Sequence, residues 1–420
     1  MSKQTTHVHK LIAQYLKENN YPETLKQFEN EHGNPIPASK LLDESLDDII
    51  TDRIQYNAII DTPAEAIDVN AELHANLKEI IRDEFTHWLT PFPRTPVKLI
   101  DIAGLVLSSC YANGVIYFSA NDSNVFVVKG GGIVKSIKFP VVVKKILTLG
   151  DDRVILVGMN GTLYLRELVT LEPISEFQAH RRLIVDARYI RVQGVDYIVS
   201  LGWDFFVRLI KLDGDNQFSI LSEHKLQQQG ACIDVVEYRG ELVVVLGKLE
   251  NTLLDVFAVR DKQLSPLYRI SLNDAEFTAS GFSPRFITIH NAAVPLVAVA
   301  TSHEPFMRLI IVPIFDVSTA TPIKRNQIIK NLNTMSPQDK YSQPIISWRL
   351  CKEEDEKASG LWVMGDDGVI RGVDIIDDKA AIELKDGHQG KIKDFITFID
   401  ANGVEKLVTS GIDREIVEWE

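Results

Sequence analysis

The stretch GHQGKIKDFITFIDANGVEKLVTSGIDREIVEWE, Gly387 to Glu420, decides the fold. It reads as Gly-His, a strand, a loop, a strand, an Asp turn, and a strand ending in Trp. The turn is Gly411-Ile412-Asp413-Arg414, and Glu415–Trp419 is the strand that leaves it. Nothing follows to pair with that strand. Unpaired N–H and C=O groups on an edge invite aggregation, so a strand from elsewhere in the chain is expected beside it.

The pattern extends upstream. After residue 96, short runs rich in Val, Ile, Leu and aromatics recur between Gly, Asp and Asn: GVIYFSA, NVFVVK, RVILVGM, FVRLIKL, RLIIVPIF, GLWVMGD. Helical periods are absent there, so an all-β region is expected. Weaker copies of the unit recur. One keeps His180 and Asp204 but has Ile210 where Trp falls in the last copy. Others keep Asp122, Asn160 or Asp367 at the turn. Asp413 follows Asp367 by 413 − 367 = 46 residues, close to the ~40–45-residue period of propeller blades.

This unit resembles the WD repeat. The resemblance covers about residues 97–420 and implies a mainly β, seven-bladed β-propeller. It also implies a buried hydrogen-bonded set of His388, Ser410, Asp413 and Trp419. Closure of such a ring would place PVKLIDI, Pro96 to Ile102, beside Glu415–Trp419.

The first 95 residues read differently. Val8, Leu11, Ile12, Tyr15 and Leu16 form one stripe of a helix. Asn19-Asn20 breaks it, Pro22 suits the first turn of a second helix, and Gly33 ends that helix. LIAQYLKENNYPETLKQFENE resembles a LisH motif through Leu11-Ile12, Tyr15-Leu16, Tyr21, Thr24-Leu25 and Phe28. Asn20 stands where the motif has Gly. The resemblance implies homodimerisation through Leu11, Ile12, Tyr15, Leu16, Leu25 and Phe28. Two helices this short are marginal alone, and two copies share a core. Residues 36–95 are expected to be a helical linker with helices over Leu42–Ile54 and Pro63–Trp88, the latter able to extend as a coiled coil. The expected domains are thus 1–35, 36–95 and 96–420.

The bulk properties narrow the function. Hydrophobic residues make up 45% and charged residues 25% of 420, values of a folded globular chain. A net charge of −13 argues against nucleic acid as main partner, because phosphate binding needs Lys and Arg. Three scattered cysteines offer neither a disulfide framework nor a zinc spacing. No secretory h-region and no run of ~20 apolar residues is present. An intracellular protein, cytoplasmic or nuclear, is expected, without membrane association.

No catalytic, cofactor or metal motif stands out. KGGGIV, Lys129 to Val134, lacks phosphate-loop spacing and reads as a hairpin turn. One turn stands apart: GWDFFVR puts Trp203, Phe205 and Phe206 around Asp204. Arg181 and Arg182 should emerge on the same face. Together these five are the expected partner-binding patch, an aromatic anchor with a basic rim. The helical arm plus propeller resembles dynein-regulating lissencephaly-type proteins, transcription corepressor subunits and ubiquitin-ligase subunits. The resemblance implies a non-enzymatic dimeric adaptor for protein partners. A propeller enzyme with a central-channel site is the alternative.

Overall fold

The computed structural model describes residues 3–33, 36, 45–47, 49–50, 75–150, 152–273, 281–315, 323–324, 327–350 and 357–420. They fall into two compact units, one within residues 1–74 and one beginning at Ala75.

The first unit carries α1 (Lys3–Glu18) and α2 (Pro22–His32). Asn20 joins them with φ 60°, a left-handed geometry that Asn tolerates better than most residues. Gly33 caps α2 at φ 80° and donates its N–H to the Glu29 and Asn30 carbonyls. The His9 ring meets Phe28 edge-on at 5.8 Å, tying the helices together. Leu11 is buried, but Ile12, Tyr15, Leu16, Leu25 and Phe28 are only half-buried. No residue of α2 is buried. The helix expected over Leu42–Ile54 lies largely outside the described residues.

The second unit opens with α3 (Ala75–Glu84). Here the structure corrects the expected helix to Trp88. The helix ends at Glu84 because the chain is taken over by the sheet region. Phe85 forms a parallel bridge with Ala358, Thr86 donates its N–H to the Ala358 carbonyl, and Trp88 donates its N–H to Asp374 Oδ2 (2.8 Å). The compact unit therefore starts some twenty residues before the expected boundary at residue 96.

Strand β1 (Pro96–Ile100) follows, and then seven antiparallel blades. Blade 1 is β2 (Val106–Ala112), β3 (Val115–Ala120), β4 (Asn124–Lys129) and β5 (Gly132–Lys138). The turn between β4 and β5 holds Gly130 and Gly131, both at positive φ, so KGGGIV is a hairpin turn. Blade 2 is β6 (Val143–Leu149), β7 (Arg153–Gly158), β8 (Thr162–Glu167) and β9 (Pro173–Gln178). Blade 3 is β10 (Ile184–Val192), β11 (Val195–Gly202), β12 (Phe206–Leu212) and β13 (Phe218–Lys225). Blade 4 is β14 (Gly230–Tyr238), β15 (Glu241–Lys248), β16 (Leu253–Arg260) and β17 (Gln263–Ser271).

Blade 5 is β18 (Pro284–His290), β19 (Leu296–Thr301), β20 (Phe306–Pro313) and an outer strand, β22 (Lys330–Pro337). Between β20 and β22 the short β21 (Ile323–Lys324) pairs in parallel with β17, adding a fifth strand to blade 4. Blade 6 is β23 (Ile346–Trp348), β24 (Leu361–Met364), β25 (Ile370–Asp374) and β26 (Lys379–Leu384). Blade 7 is β27 (Ile392–Ile399), β28 (Glu405–Gly411), β29 (Ile416–Trp419) and β1.

The ring follows from this order. The first strands of successive blades lie side by side, and β27 packs beside β2. Central strands are buried on both faces because each blade is sandwiched by two others. All six residues of β3 are buried, which explains their unbroken apolar run. Between blades 3 and 4, Val199, Leu201, Leu209, Val244, Leu246 and Phe257 fill one such seam.

Blade 7 draws on both parts of the propeller sequence. Pro96 pairs with Trp419, Val97 with Glu418 and Lys98 with Val417. Beyond that ladder, Arg94 and Thr95 donate N–H groups to the Glu420 carbonyl at 2.7 and 2.9 Å. A strap then crosses blades 6 and 7. Arg349 donates to the Leu89 and Pro91 carbonyls, lies 4.4 Å over the Trp88 ring, and pairs with buried Glu405. Glu405 also accepts the Trp362 indole N–H at 2.8 Å. Burying a charge this deeply is tolerated only where pairing and hydrogen bonds complete it, and here both are present.

Candidate functional site

Antiparallel order settles which loops share a face. The first strand of a blade starts where the fourth strand of the previous blade ends. The turn between second and third strands lies at that same end. One face of the disc thus carries all second-to-third turns and all blade-to-blade connections.

Backbone hydrogen bonds align these turns. Asn121, Met159, Trp203, Leu249, Ser302 and Ile412 each donate an N–H to the connection entering their own blade, at 2.8–3.0 Å. The acceptors are the carbonyls of Leu105, Val142, Leu183, Gln229, Ser283 and Lys391. Two of the six positions are polar. Met159, Trp203, Leu249 and Ile412 are apolar and exposed. Those of blades 2, 3 and 4 form an arc, with Trp203 in the middle at 53% exposure. Periodicity gives no hint of Met159 or Leu249, since a single apolar residue in a turn has no period. The signal was its place: immediately before the turn's polar residue, as in Met159-Asn160 and Trp203-Asp204.

The expected patch is distributed as follows. Arg181 and Arg182 are exposed on the connection into blade 3, on the same face as Trp203. Phe205 is exposed there too. Phe206 is half-buried instead, with the Arg208 guanidinium 4.9 Å over its ring. Phe205 has φ 66°, a region costly for an aromatic residue. The equivalent places in blades 2 and 6 hold glycine, Gly161 and Gly368.

Beneath these turns sit the polar sets. In blade 7, His388 Nδ1 is 3.2 Å from Asp413 Oδ1, and His388 Nε2 is 2.8 Å from Thr409 Oγ1. The Trp419 indole N–H donates to the same Thr409 oxygen at 2.9 Å. This corrects the hydroxyl member from Ser410 to Thr409. Neighbouring strand residues face opposite ways, so Ser410 Oγ points away and donates to the Asp394 carbonyl. One tautomer satisfies both ring nitrogens: Trp419 donates to Thr409, Thr409 donates to Nε2, and Nδ1–H donates to Asp413.

Blade 3 repeats the set with a different fourth member. His180 Nδ1 is 2.8 Å from Asp204 Oδ1, and Nε2 is 2.8 Å from Ser200 Oγ. Arg208 donates to Asp204 Oδ2 at 3.0 Å and to the Ala179 carbonyl at 2.8 Å. Ile210 is fully buried where blade 7 has Trp419. Burial holds His180 below its ordinary range, opposed by Asp204. Burial alone would raise Asp204, but hydrogen bonds from His180 and Arg208 hold it below the usual carboxylate range. Both sets need glycine two residues before the Asp. A Cβ on Gly202 would lie 2.1 Å from His180 Nδ1, and one on Gly411 2.4 Å from Asp413 Oδ1. These groups join turn to connection, and their geometry is that of structural clamps.

The same face opens into a cavity of ≈ 610 Å³ at the mouth of the channel, with Trp203 and Leu249 on its lining. Below them charged groups are set among apolar ones. Asp186 binds Lys145 and Arg188 and accepts the Ile233 N–H of blade 4. Asp234 accepts Arg188 at 2.9 Å and the Ile289 N–H of blade 5 at 2.8 Å. Asp394 accepts the Ser109 N–H of blade 1 at 2.6 Å, and its hydroxyl as well. Each acid thus staples its blade to the next. Burial pushes Asp186 and Asp394 up to about 7.

Elsewhere, ligand atoms of His87, Asp374 and Asp377 lie within 4.8 Å of one another. Asp374 is already occupied by the N–H groups of Trp88, Ile376 and Asp377, and Asp377 pairs with Lys379. Protein groups account for that cluster. No described helix is long and apolar enough to cross a membrane.

Two family models match the chain. One, described as UCP007778, LisH domain, matches residues 6–40. The other, described as UCP007778, beta-propeller domain, matches residues 67–420, a span that takes in α3 and the strap as well as the blades. An uncharacterized protein of Saccharomyces cerevisiae, YGR117C, is 25% identical, aligned over 97% of this chain and 95% of its own length. The chain belongs to the UCP007778 family, with a LisH domain ahead of a seven-bladed β-propeller.

Proposed function

We propose that the protein is a non-enzymatic adaptor: its LisH helices join two copies, and each propeller offers the Trp203 face to a protein partner. The observation that carries this is the exposed apolar arc of Met159, Trp203 and Leu249 on one face. Exposed Trp at the centre of such a patch is the composition of an interaction hot spot. Phe205 adds support, because an aromatic residue stands where two other blades have glycine. The half-buried apolar residues of α1 and α2 support the dimer, since the described residues of one copy cover that stripe only in part. Two faces in one assembly gain avidity for a repeated or dimeric partner. Free thiols at Cys110 and Cys232 suit a reducing, intracellular compartment, cytoplasmic or nuclear.

The test has two halves. Light scattering after size exclusion should give a dimer for the whole chain and a monomer for Phe28→Asp. A monomeric wild type removes the dimer half. Partners recovered by affinity purification should be lost with Trp203→Ala plus Phe205→Ala, and an unchanged partner set removes the face.

A further inference from the structure

The lining of the channel mouth is charged against the trend of the whole chain. Five cations lie on it, Lys144, Lys145, Arg188, Arg285 and Lys393, against two acids, Asp186 and Asp394. Counting Asp234 as well, which holds Arg188 from behind the lining, the sum is +5 − 3 = +2 at full ionisation, in a chain of −13. The excess is not spent on internal pairing. Lys145 and Arg188 are held by Asp186, and Arg188 by Asp234 too. Lys144 donates to the Val185 carbonyl at 2.5 Å, and Arg285 to the Lys340 carbonyl at 3.3 Å. Lys393 is exposed. None of these three has a carboxylate at ion-pair distance among the described residues.

Their placement matters as much as their number. They stand on β6, β18 and β27, the innermost strands of blades 2, 5 and 7, and so surround the mouth. Burial holds the Lys144 ammonium below its ordinary range, only partly opposed by the Asp186 carboxylate. Between the cations the lining is apolar, with Trp203, Leu249 and Phe286.

We propose that this mouth binds an acidic peptide segment of the partner, its carboxylates reaching Lys144, Arg285 and Lys393 and an apolar side chain resting on Trp203 and Leu249. The proposal rests on the adaptor reading and names the chemistry of its partner. A ring of like charge at a concave mouth raises the local concentration of oppositely charged segments and speeds encounter. A small anion such as a phosphate would leave Trp203, Leu249 and Phe286 without a role, which favours a peptide.

The experiment is selection of short random peptides on the immobilised full chain, followed by affinity measurement. The expected winners are rich in Asp and Glu around one apolar residue. Their affinity should fall about tenfold or more with Lys393→Glu plus Arg285→Glu, and similarly with Trp203→Ala. Binding to the unaltered protein should also weaken as salt rises, a readout that survives if the charge-reversed variant folds poorly.

Neutral or basic winners that still need Trp203 overturn the acidic chemistry and leave the adaptor reading standing. No winners, or winners indifferent to all three substitutions, overturn the proposal and remove the face from the adaptor reading too. Inorganic tripolyphosphate binding as tightly as the best peptide, with Trp203→Ala without effect, makes the mouth a small-anion site and also overturns the proposal.

Discussion

Blades 3 and 7 are built on the same clamp and use their tryptophans in opposite ways. Each holds a His between a hydroxyl four residues before the turn Asp and the Asp itself. In blade 7 the Trp is Trp419, fully buried, with its N–H on the clamp. In blade 3 its place is taken by Ile210, and the clamp is completed by Arg208. That blade's Trp, Trp203, stands on the surface instead. The lesson is that a polar clamp needs a donor, not a tryptophan. Once Arg208 supplies the donor and Ile210 fills the space, the blade's Trp is not required inside.

The strongest way to break this comparison is at the closure. Removing Arg414–Glu420 takes away β29 and orphans β1. The whole propeller should lose its cooperative thermal transition, read by circular dichroism. Local fraying of blade 7, with the other blades still melting together, would show that ring closure is dispensable.

Next in size are the two tryptophans. Trp419→Ala should cost about 3–5 kcal/mol in chemical denaturation, as large-to-small core changes do. Trp203→Ala should stay within about 0.5 kcal/mol, as surface substitutions do. Equal costs would mean that Trp203 packs for stability, which would take the partner face away with it.

The clamp hydroxyl gives a finer cut. Thr409→Val leaves the Trp419 N–H and His388 Nε2 without a shared partner, and should cost about 1–3 kcal/mol. Ser410→Ala removes one long bond to a carbonyl and should cost less than about 1 kcal/mol. The reverse order would restore Ser410 to the set.

The last test is a pH slope. Asp394 has its folded value raised by burial to about 7, above the ordinary 3.8. A raised carboxyl binds its proton more tightly folded than unfolded, so the contribution of Asp394 to stability is greatest in acid and declines as pH rises from about 4 through 7. Asp394→Asn keeps an acceptor for Ser109 and has nothing to ionise. Denaturation at pH 5 and pH 8 should show a larger loss for wild type than for the variant. Identical slopes would mean that Asp394 ionises freely in the folded ring.

The propeller was legible where chemistry repeats at fixed spacing: Gly387-His388, Asp413 and Trp419, with Asp367 one period earlier. The clamp was legible except for its hydroxyl. Thr409 and Ser410 adjoin, and only strand alternation tells which points inward. Blade 3 held the clue, since Ser200 precedes Asp204 by four residues as Thr409 precedes Asp413. The strap was invisible. Its parts, Trp88, Arg349 and Glu405, are scattered along the chain with no spacing to link them. Burial alone reveals them. The helix end at Glu84 was hidden for the same reason, because Ala358 and Asp374 capture the backbone that propensity would have left helical.

The pairing of β1 with β29 has a consequence in time. Pro96 and its partner Trp419 are 419 − 96 = 323 residues apart. At roughly 5–20 residues per second, the first strand waits about 16–65 s on the ribosome for its mate. Throughout that interval β1 and the blade 1 seam it covers stand open, Ile100 and Phe118 with them. The propeller is therefore an assembly whose first part is made early and fitted last.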